Sequence, residues 1–285
     1  MKSFHNTDTS ESLFDMNYFS WHVRCTVIAA GFLFYSLIFI FSHVLSLVLS
    51  VTYCSLPAKE KVFWNLAATR GFFGIQGTVT GLWALLKDPV LHADKILGQQ
   101  NWCWFNILTA LGFFAFENVA FHGSNVVFRT FNVALTIHHF FAISGFASTL
   151  IWDNLGHYLP MVILLLEMST PFTCVSWMLL KAGFSHILLW KLNQWLMIHL
   201  FHCRMILTYH VWWVCWQNLE IVKLYVAVPQ AVLCFSGLFL LTFIINPYWT
   251  RKKTWQLFNP ADWNFATETN RTTNEETNKI LKKTT

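Results

Sequence analysis

Apolar residues run through this chain in long blocks, and polar residues gather in the gaps between them. A helix needs roughly 20 apolar residues to cross a hydrocarbon layer. On that measure the blocks predict spans near residues 25–48, 62–86, 102–121, 131–152, 155–179, 191–216 and 224–247. The gaps carry turn chemistry: Lys59-Glu60-Lys61, Lys87-Asp88-Pro89 and Asn154-Leu155-Gly156 separate successive blocks. No repeat and no second domain interrupts the series. The predicted fold is all-α, a polytopic transmembrane helical bundle of about seven spans.

The blocks define the expected organisation. Residues 1–24 form a lumenal N-terminal segment, 25–48 a first transmembrane anchor, 62–247 the main transmembrane domain and 248–285 a cytosolic tail. Met1 to Asn17 carries Asp8, Glu11 and Asp15 and lacks an apolar core, so the first block is expected to be kept as an anchor and not removed as a leader. Beyond Pro247 the chain turns polar, and from Thr267 it is rich in Thr, Asn, Glu and Lys. Composition agrees with the pattern. With 55% hydrophobic residues, 12% charged and a mean hydropathy of +0.45, the chain cannot bury its apolar surface as an ordinary water-soluble domain. The cysteines at 25, 54, 103, 174, 203, 215 and 234 show no paired spacing and predict neither a disulfide framework nor a zinc site.

Lysine and arginine set the expected orientation. Lys59, Lys61, Arg129, Lys181, Lys191 and Arg251 to Lys253 fall on one side, the tail adds more, and only Lys2, Arg24, Lys87, Lys95 and Lys223 fall on the other. The positive-inside rule makes the first side cytosolic and the N-terminus lumenal. Tryptophans at 64, 177, 190 and 249 would mark one interface and those at 102, 104, 152, 213 and 216 the other. In this orientation Lys282 and Lys283 stand third and fourth from a cytosolic end, the pattern of a dilysine retrieval signal read by the COPI coat. The expected location is the endoplasmic reticulum membrane, with cycling through the intermediate compartment toward the Golgi.

Charge inside hydrocarbon is costly, so ionisable residues within the blocks are candidates for function. At 1.5 Å per helical residue, Arg70 lies ~12 Å from the cytosolic helix end, Glu117 ~7 Å, His138 and His139 ~11 Å, Glu167 ~18 Å, and His199 and His202 ~12 to 17 Å. Groups from five helices at similar depth predict one inward-facing polar site, with Arg204 nearby. Neighbouring helical residues are separated by ~100°, so His138 and His139 cannot both aim at one atom. One should react and the other support it; Phe140 and Gly145 beside the pair favour His139 as the reacting member. His199 and His202, at i and i+3, share a helix face. In Glu167-Met168-Ser169-Thr170-Pro171-Phe172 the proline removes a backbone donor, and the hydroxyls are placed to satisfy the freed carbonyl.

These residues carry a resemblance. The His138-His139 pair, Gly112-Phe-Phe-Ala-Phe-Glu117, Arg70 and the Glu-x-Ser-x-Pro-Phe of residues 167–172 resemble the TLC-domain family, which includes ceramide synthases and translocation-associated membrane proteins. The resemblance extends nearly to Phe265. It implies a barrel-like bundle around a lipid tunnel, with His138, His139 and Glu167 catalytic and Arg70, Glu117, His199, His202 and Arg204 binding substrate. The reaction implied is acyl transfer from acyl-CoA as co-substrate, with no bound cofactor and no metal. Imidazole suits it, being neutral near pH 7, nucleophilic and a good leaving group. Two departures narrow the acceptor: Glu117 stands where many members have Asp, and the acidic His-Asp-x-x-Asp segment that follows the paired histidines of ceramide synthases is missing. The missing segment argues against a sphingoid base, and Arg70 and Arg204, well matched to phosphate, make a glycerophosphate-containing compound or lysophospholipid the expected acceptor.

Two other classes are open at the level of sequence. A non-catalytic cargo receptor carrying lysosomal enzymes from endoplasmic reticulum to Golgi would hold cargo proteins on its lumenal loops, and a lipid sensor or carrier would use the same cavity without chemistry. A metal oxygenase would need more histidines at regular spacing. Membrane lipids are the expected partners, and nucleic acid is not. Replacing Lys282 and Lys283 by serine is expected to shift the steady-state protein toward the Golgi; an unchanged distribution on organelle imaging removes the retrieval reading.

Overall fold

The computed structural model describes residues 16–130, 133–262 and 264–265, and among these every regular element is helical. The elements are α1 (Trp21–Leu49), α2 (Val51–Ser55), α3 (Ala58–Leu86), α4 (Pro89–Ala93), α5 (Asn101–Val127), α6 (Val133–Trp152), α7 (Tyr158–Leu165), α8 (Thr170–Lys181), α9 (Leu188–Gln217), α10 (Leu219–Tyr225), α11 (Val228–Phe239) and α12 (Asn246–Phe258). A 3-10 turn, Leu166–Ser169, joins α7 to α8, and a π turn, Leu240–Ile245, joins α11 to α12. Seven long rods result, matching the predicted blocks in order. Five of them are long and apolar enough to cross a membrane by length and composition: α1, α5, α6, α7–α8 and α11–α12. The other two, α3 and α9, have the length, with 29 and 30 residues, but carry more polar side chains.

The outer faces read as lipid-facing. On α1 the buried positions are Arg24, Val27, Gly31, Tyr35 and Ser42, one stripe at helical spacing, while Leu33, Phe34, Leu37, Ile40 and Phe41 are exposed. In water such a surface would be a liability; in a bilayer it needs no partner. Two close backbone approaches hold the core. A Cβ at Gly77 of α3 would meet the Leu164 carbonyl oxygen at 2.7 Å, and one at Gly31 of α1 would meet that of Thr109 at 2.9 Å. Small residues thus bring α3 onto α7 and α1 onto α5, which suits a medium where packing and not water exclusion drives association. By contrast α6 packs only on α5 and α11 among its principal neighbours. That leaves a gap between α6 and the α7–α9 wall.

Several boundaries differ from the sequence expectation for local reasons. α1 begins at Trp21, so Arg24 lies inside the bundle: it pairs with Asp153 at 2.7 Å, donates to the Tyr18 and Leu150 carbonyls, and sits 4.6 Å from the Trp104 ring centroid. The last rod runs past Pro247 to Phe258, because proline at the start of α12 follows a π turn and its missing N–H interrupts little. Three predicted interface tryptophans turn inward instead. Trp104 and Trp190 are 1% and 0% exposed, Trp177 is buried, and Trp190 and Trp177 donate to the Ser176 carbonyl and to Asp262. The predicted retrieval residues Lys282 and Lys283 lie outside the described residues.

The end of the bundle bearing Trp104 is tied by its loops. Gly156 and His157 donate their amides to the Ile96 and Gly98 carbonyls, Asn154 donates to the Tyr225 carbonyl, and the His157 ring accepts from the Gln100 amide at 3.0 Å. Burial pushes His157 down to about 4. Because the unfolded imidazole titrates near ~6.5, this residue's contribution to stability is complete above that pH and fades as pH falls toward 4. The detergent-purified protein is therefore expected to melt at lower temperature at pH 5 than at pH 7.5, and His157→Gln is expected to shrink that difference. An equal difference in both proteins removes His157 as the cause.

Candidate functional site

The gap left beside α6 is a cavity of about 190 Å³, walled by α6, α7, α9 and α11 with the π turn. Its lining along α6 runs from His138 to Thr149, a rise of ~16 Å, and most of it is apolar: Phe114, Phe141, Phe146, Ile163 and Leu238 are typical. The ionisable side chains His138, Glu167 and Arg204 share its wall, near enough to interact electrostatically. The 3-10 turn and Pro171 set the carboxylate. An α-helical hydrogen bond to the Pro171 nitrogen is impossible, the turn tightens before it, and Gly74 of α3 packs against the proline ring.

Glu167 and Arg204 each have a hydrogen-bonded neighbour. Thr170 donates to Glu167 at 2.5 Å, and Arg204 donates to the Ser169 hydroxyl at 2.9 Å. Thus Ser169 and Thr170 serve the charged residues, whereas the sequence reading had their hydroxyls satisfying a freed backbone carbonyl. Arg204 and Glu167 form no ion pair within 4.0 Å among the described contacts, and the buried Arg204 Nε has no hydrogen-bond partner. The arginine therefore keeps a donor available beside the cavity.

His139 points away from this cavity. It is 3% exposed, its Nε2 stands 3.6 Å from Glu117, and its ring lies against Phe121 at 5.2 Å between centroids. Glu117 in turn accepts from Arg70. The adjacent histidines thus divide between two polar groups, as the ~100° step between helical neighbours requires. His138 meets Glu167 and Arg204 at the cavity; His139 meets Glu117 and Arg70 behind α6.

One expected convergence does not occur. His199 and His202 lie on the exposed face of α9, each bonded through Nδ1 to its own helix, at the Trp195 and Ile198 carbonyls. Their depth matched the others but their azimuth does not. Arg204, two residues past His202, faces inward because 200° of helical rotation reverses the face. Sequence reasoning also passed over Cys215 and Cys234, which line the cavity from α9 and α11, and over Lys253, 7% exposed on α12. Both cysteines sit in ordinary apolar blocks with no distinguishing neighbour. Lys253 was assigned to a solvated tail, and only the continuation of α12 reveals its burial.

The Arg70–Glu117 pair generates a stability prediction. Removing one partner of a buried pair strands the other charge, at a typical cost of about 3–5 kcal/mol, whereas replacing both by apolar groups is often neutral. Arg70→Met is therefore expected to lower the melting temperature well below that of the Arg70→Met/Glu117→Met double variant. A double variant no better than the single one removes the pairing argument.

Comparison with known proteins identifies the family. The TLC domain profile matches residues 64–253. The chain is 61% identical over 275 residues to Protein CLN8 of Homo sapiens, covering 96% of each chain. It is 63% identical over 261 residues to Protein CLN8 of Rattus norvegicus, covering 92% of this chain and 91% of that one. Against Protein CLN8 of Mus musculus it is 62% identical over 259 residues, with 91% and 90% covered. No solved structure matches.

Proposed function

The chain belongs to the TLC-domain family of membrane proteins, and from that membership and the cavity we propose that it is an acyltransferase acting within the endoplasmic reticulum membrane. It takes a fatty-acyl group from acyl-CoA and passes it to a glycerophosphate-containing acceptor or lysophospholipid. The observation that carries this reading is the mixed lining of the cavity: a mainly apolar wall suited to a hydrocarbon chain also bears His138, Glu167 and Arg204, where the reacting carbonyl would lie.

The chemistry assigned to each residue follows from its place. His138 is the acyl carrier, in preference to His139, because it alone of the pair lines the cavity. Its neutral ring nitrogen attacks the thioester carbonyl carbon, the C–S bond breaks, and the departing sulfur leaves with the proton released by the imidazole. An acceptor hydroxyl then attacks the acyl-imidazole carbon, the C–N bond breaks, and the hydroxyl proton returns to the ring. Glu167 orients the ring and stabilises its cationic form, the part a carboxylate takes in a triad. Arg204 offers its Nε donor to a phosphate or to the developing oxyanion. His139, Glu117 and Arg70 act as positioning residues, fixing the α6 rotation that presents His138.

Purified protein given acyl-CoA without acceptor is expected to release about one CoA per active site and to gain one acyl mass. His138→Ala is expected to lose both the burst and about 10²-fold or more of turnover. His139→Ala should keep the burst with slower turnover. If folded native protein shows neither burst nor turnover with glycerophosphate or lysophospholipid acceptors, catalysis here is excluded and the cavity is a lipid-holding site.

A further inference from the structure

Beyond residue 253, where the TLC-domain match ends, α12 continues to Phe258 and the chain then folds back over the bundle. The returning segment, Ala261 to Phe265, is held at every described step. Gln256 donates to the Ala261 carbonyl at 2.9 Å, Trp177 donates to Asp262 at 3.2 Å, and Lys181 pairs with the other Asp262 oxygen at 2.7 Å. Phe265 is 8% exposed, with Phe63 at 5.5 Å and Trp177 at 6.1 Å between ring centroids and the Lys181 ammonium 5.2 Å from its face. Phe63 itself carries the Arg70 guanidinium at 5.6 Å. The segment is thus a strap across the end of the bundle nearest the polar residues.

Under the strap lies more positive charge than the fold has answered. Lys181 is shared between Asp262 and Glu60, at 2.7 and 2.6 Å. Gln256 bridges Lys253, at 3.2 Å, to the Ala261 carbonyl, at 2.9 Å, which sets Lys253 beside the strap, and Lys252 is its neighbour on α12, both within electrostatic range of Asp262. Lys253 is buried, and its ammonium has one described hydrogen bond, to Gln256 at 3.2 Å. Take Asp262 away and Lys181 keeps Glu60, while Lys252 and Lys253 lose the carboxylate they share. Burying an ammonium is unfavourable without a counter-charge, so the site demands an anion, and a carboxylate on a return segment is a replaceable way to supply one.

We propose that Lys181, Lys252 and Lys253 form a binding site for a phosphate-bearing headgroup, and that Asp262 on the strap occupies it until that headgroup arrives. A phosphate carries more charge and more acceptor oxygens than the carboxylate it displaces, and Trp177 Nε1 and Gln256 supply further contacts. When Asp262 leaves, Phe265 loses its anchor and uncovers the Phe63–Arg70 side of the polar layer. The proposal rests on acyl transfer only for the headgroup's origin, the donor thioester's nucleotide or the acceptor's glycerophosphate.

The test is binding to the full-length protein in detergent, with coenzyme A and with lysophosphatidylglycerol as separate probes. Asp262→Asn removes the internal competitor and is expected to tighten one probe about tenfold, the gain when a site closed about nine-tenths of the time is freed. Lys253→Met is expected to weaken the same probe at least as much, and the opposite sign in Asp262→Asn guards against a folding defect. Tightening of coenzyme A alone assigns the site to the donor, and tightening of the lysolipid alone to the acceptor. Unchanged affinity for both probes in Asp262→Asn overturns the proposal. Probe binding is read without turnover, so protein that fails to transfer an acyl group can still show the tightening in Asp262→Asn, and a failure of acyl transfer and a failure of this site give different results.

Discussion

A charge carried into an apolar bundle must be met by another charge or by hydrogen bonds, and this constraint orders the whole interior. Arg24 is met by Asp153 and two carbonyls, Arg70 by Glu117, Arg204 by Ser169, and Lys181 by Glu60 and Asp262. Each pairing joins separate elements, so the same contacts that neutralise charge also fix helix against helix. Without them the small-residue approaches of α3 to α7 and α1 to α5 would set spacing but not rotation. Rotation matters here, because one step along α6 decides which imidazole reaches the cavity.

The cavity exists because packing is uneven. Where Gly74, Gly77 and Gly81 let α3 lie close on α7 and the start of α8, no space remains. Across the bundle, α6 and α11 support each other but leave the α7–α9 wall uncovered. An empty apolar volume of that kind costs stability in a protein that must only fold, since its lining atoms forgo contacts. A hydrocarbon chain would restore those contacts. The π turn at Leu240–Ile245 contributes to the same wall, and such local irregularities are frequent at functional sites.

How much of this was legible in the sequence depends on whether a property is one-dimensional. The rods were legible, because apolar run length is a property of the chain alone, and so was the interest of Arg70, Glu117, His138, His139, Glu167 and Arg204. Level along each helix axis could be counted from the sequence. Azimuth could not: His199 and His202 share the level of the site yet face outward, since α9 mixes polar and apolar residues around its whole circumference and its pattern marks no inner face. Trp104, Trp177 and Trp190 misled for the related reason that a tryptophan near a helix end can serve an interface or a core equally well. Lys253 was hidden by its neighbours, a basic run that reads as solvated until α12 is seen to continue through it.

The division between the two histidines bears on what a substitution at either one would mean. His138 lines the cavity with Glu167 and Arg204, so its loss would change the cavity wall directly. His139 is enclosed with Glu117, Phe121 and the Arg70 pair, and its buried Nδ1 finds no hydrogen-bond partner among the described residues. A ring so placed is unlike an ordinary core residue, because an unpaired buried nitrogen costs free energy that a phenylalanine would not. What the imidazole supplies there is a polar contact to Glu117 that ties α6 to α5 and, through Arg70, to α3. Loss of His139 would therefore loosen the rotation that aims its neighbour. The adjacent pair thus has two faces, one turned to the cavity and the other to the contacts that fix helix rotation.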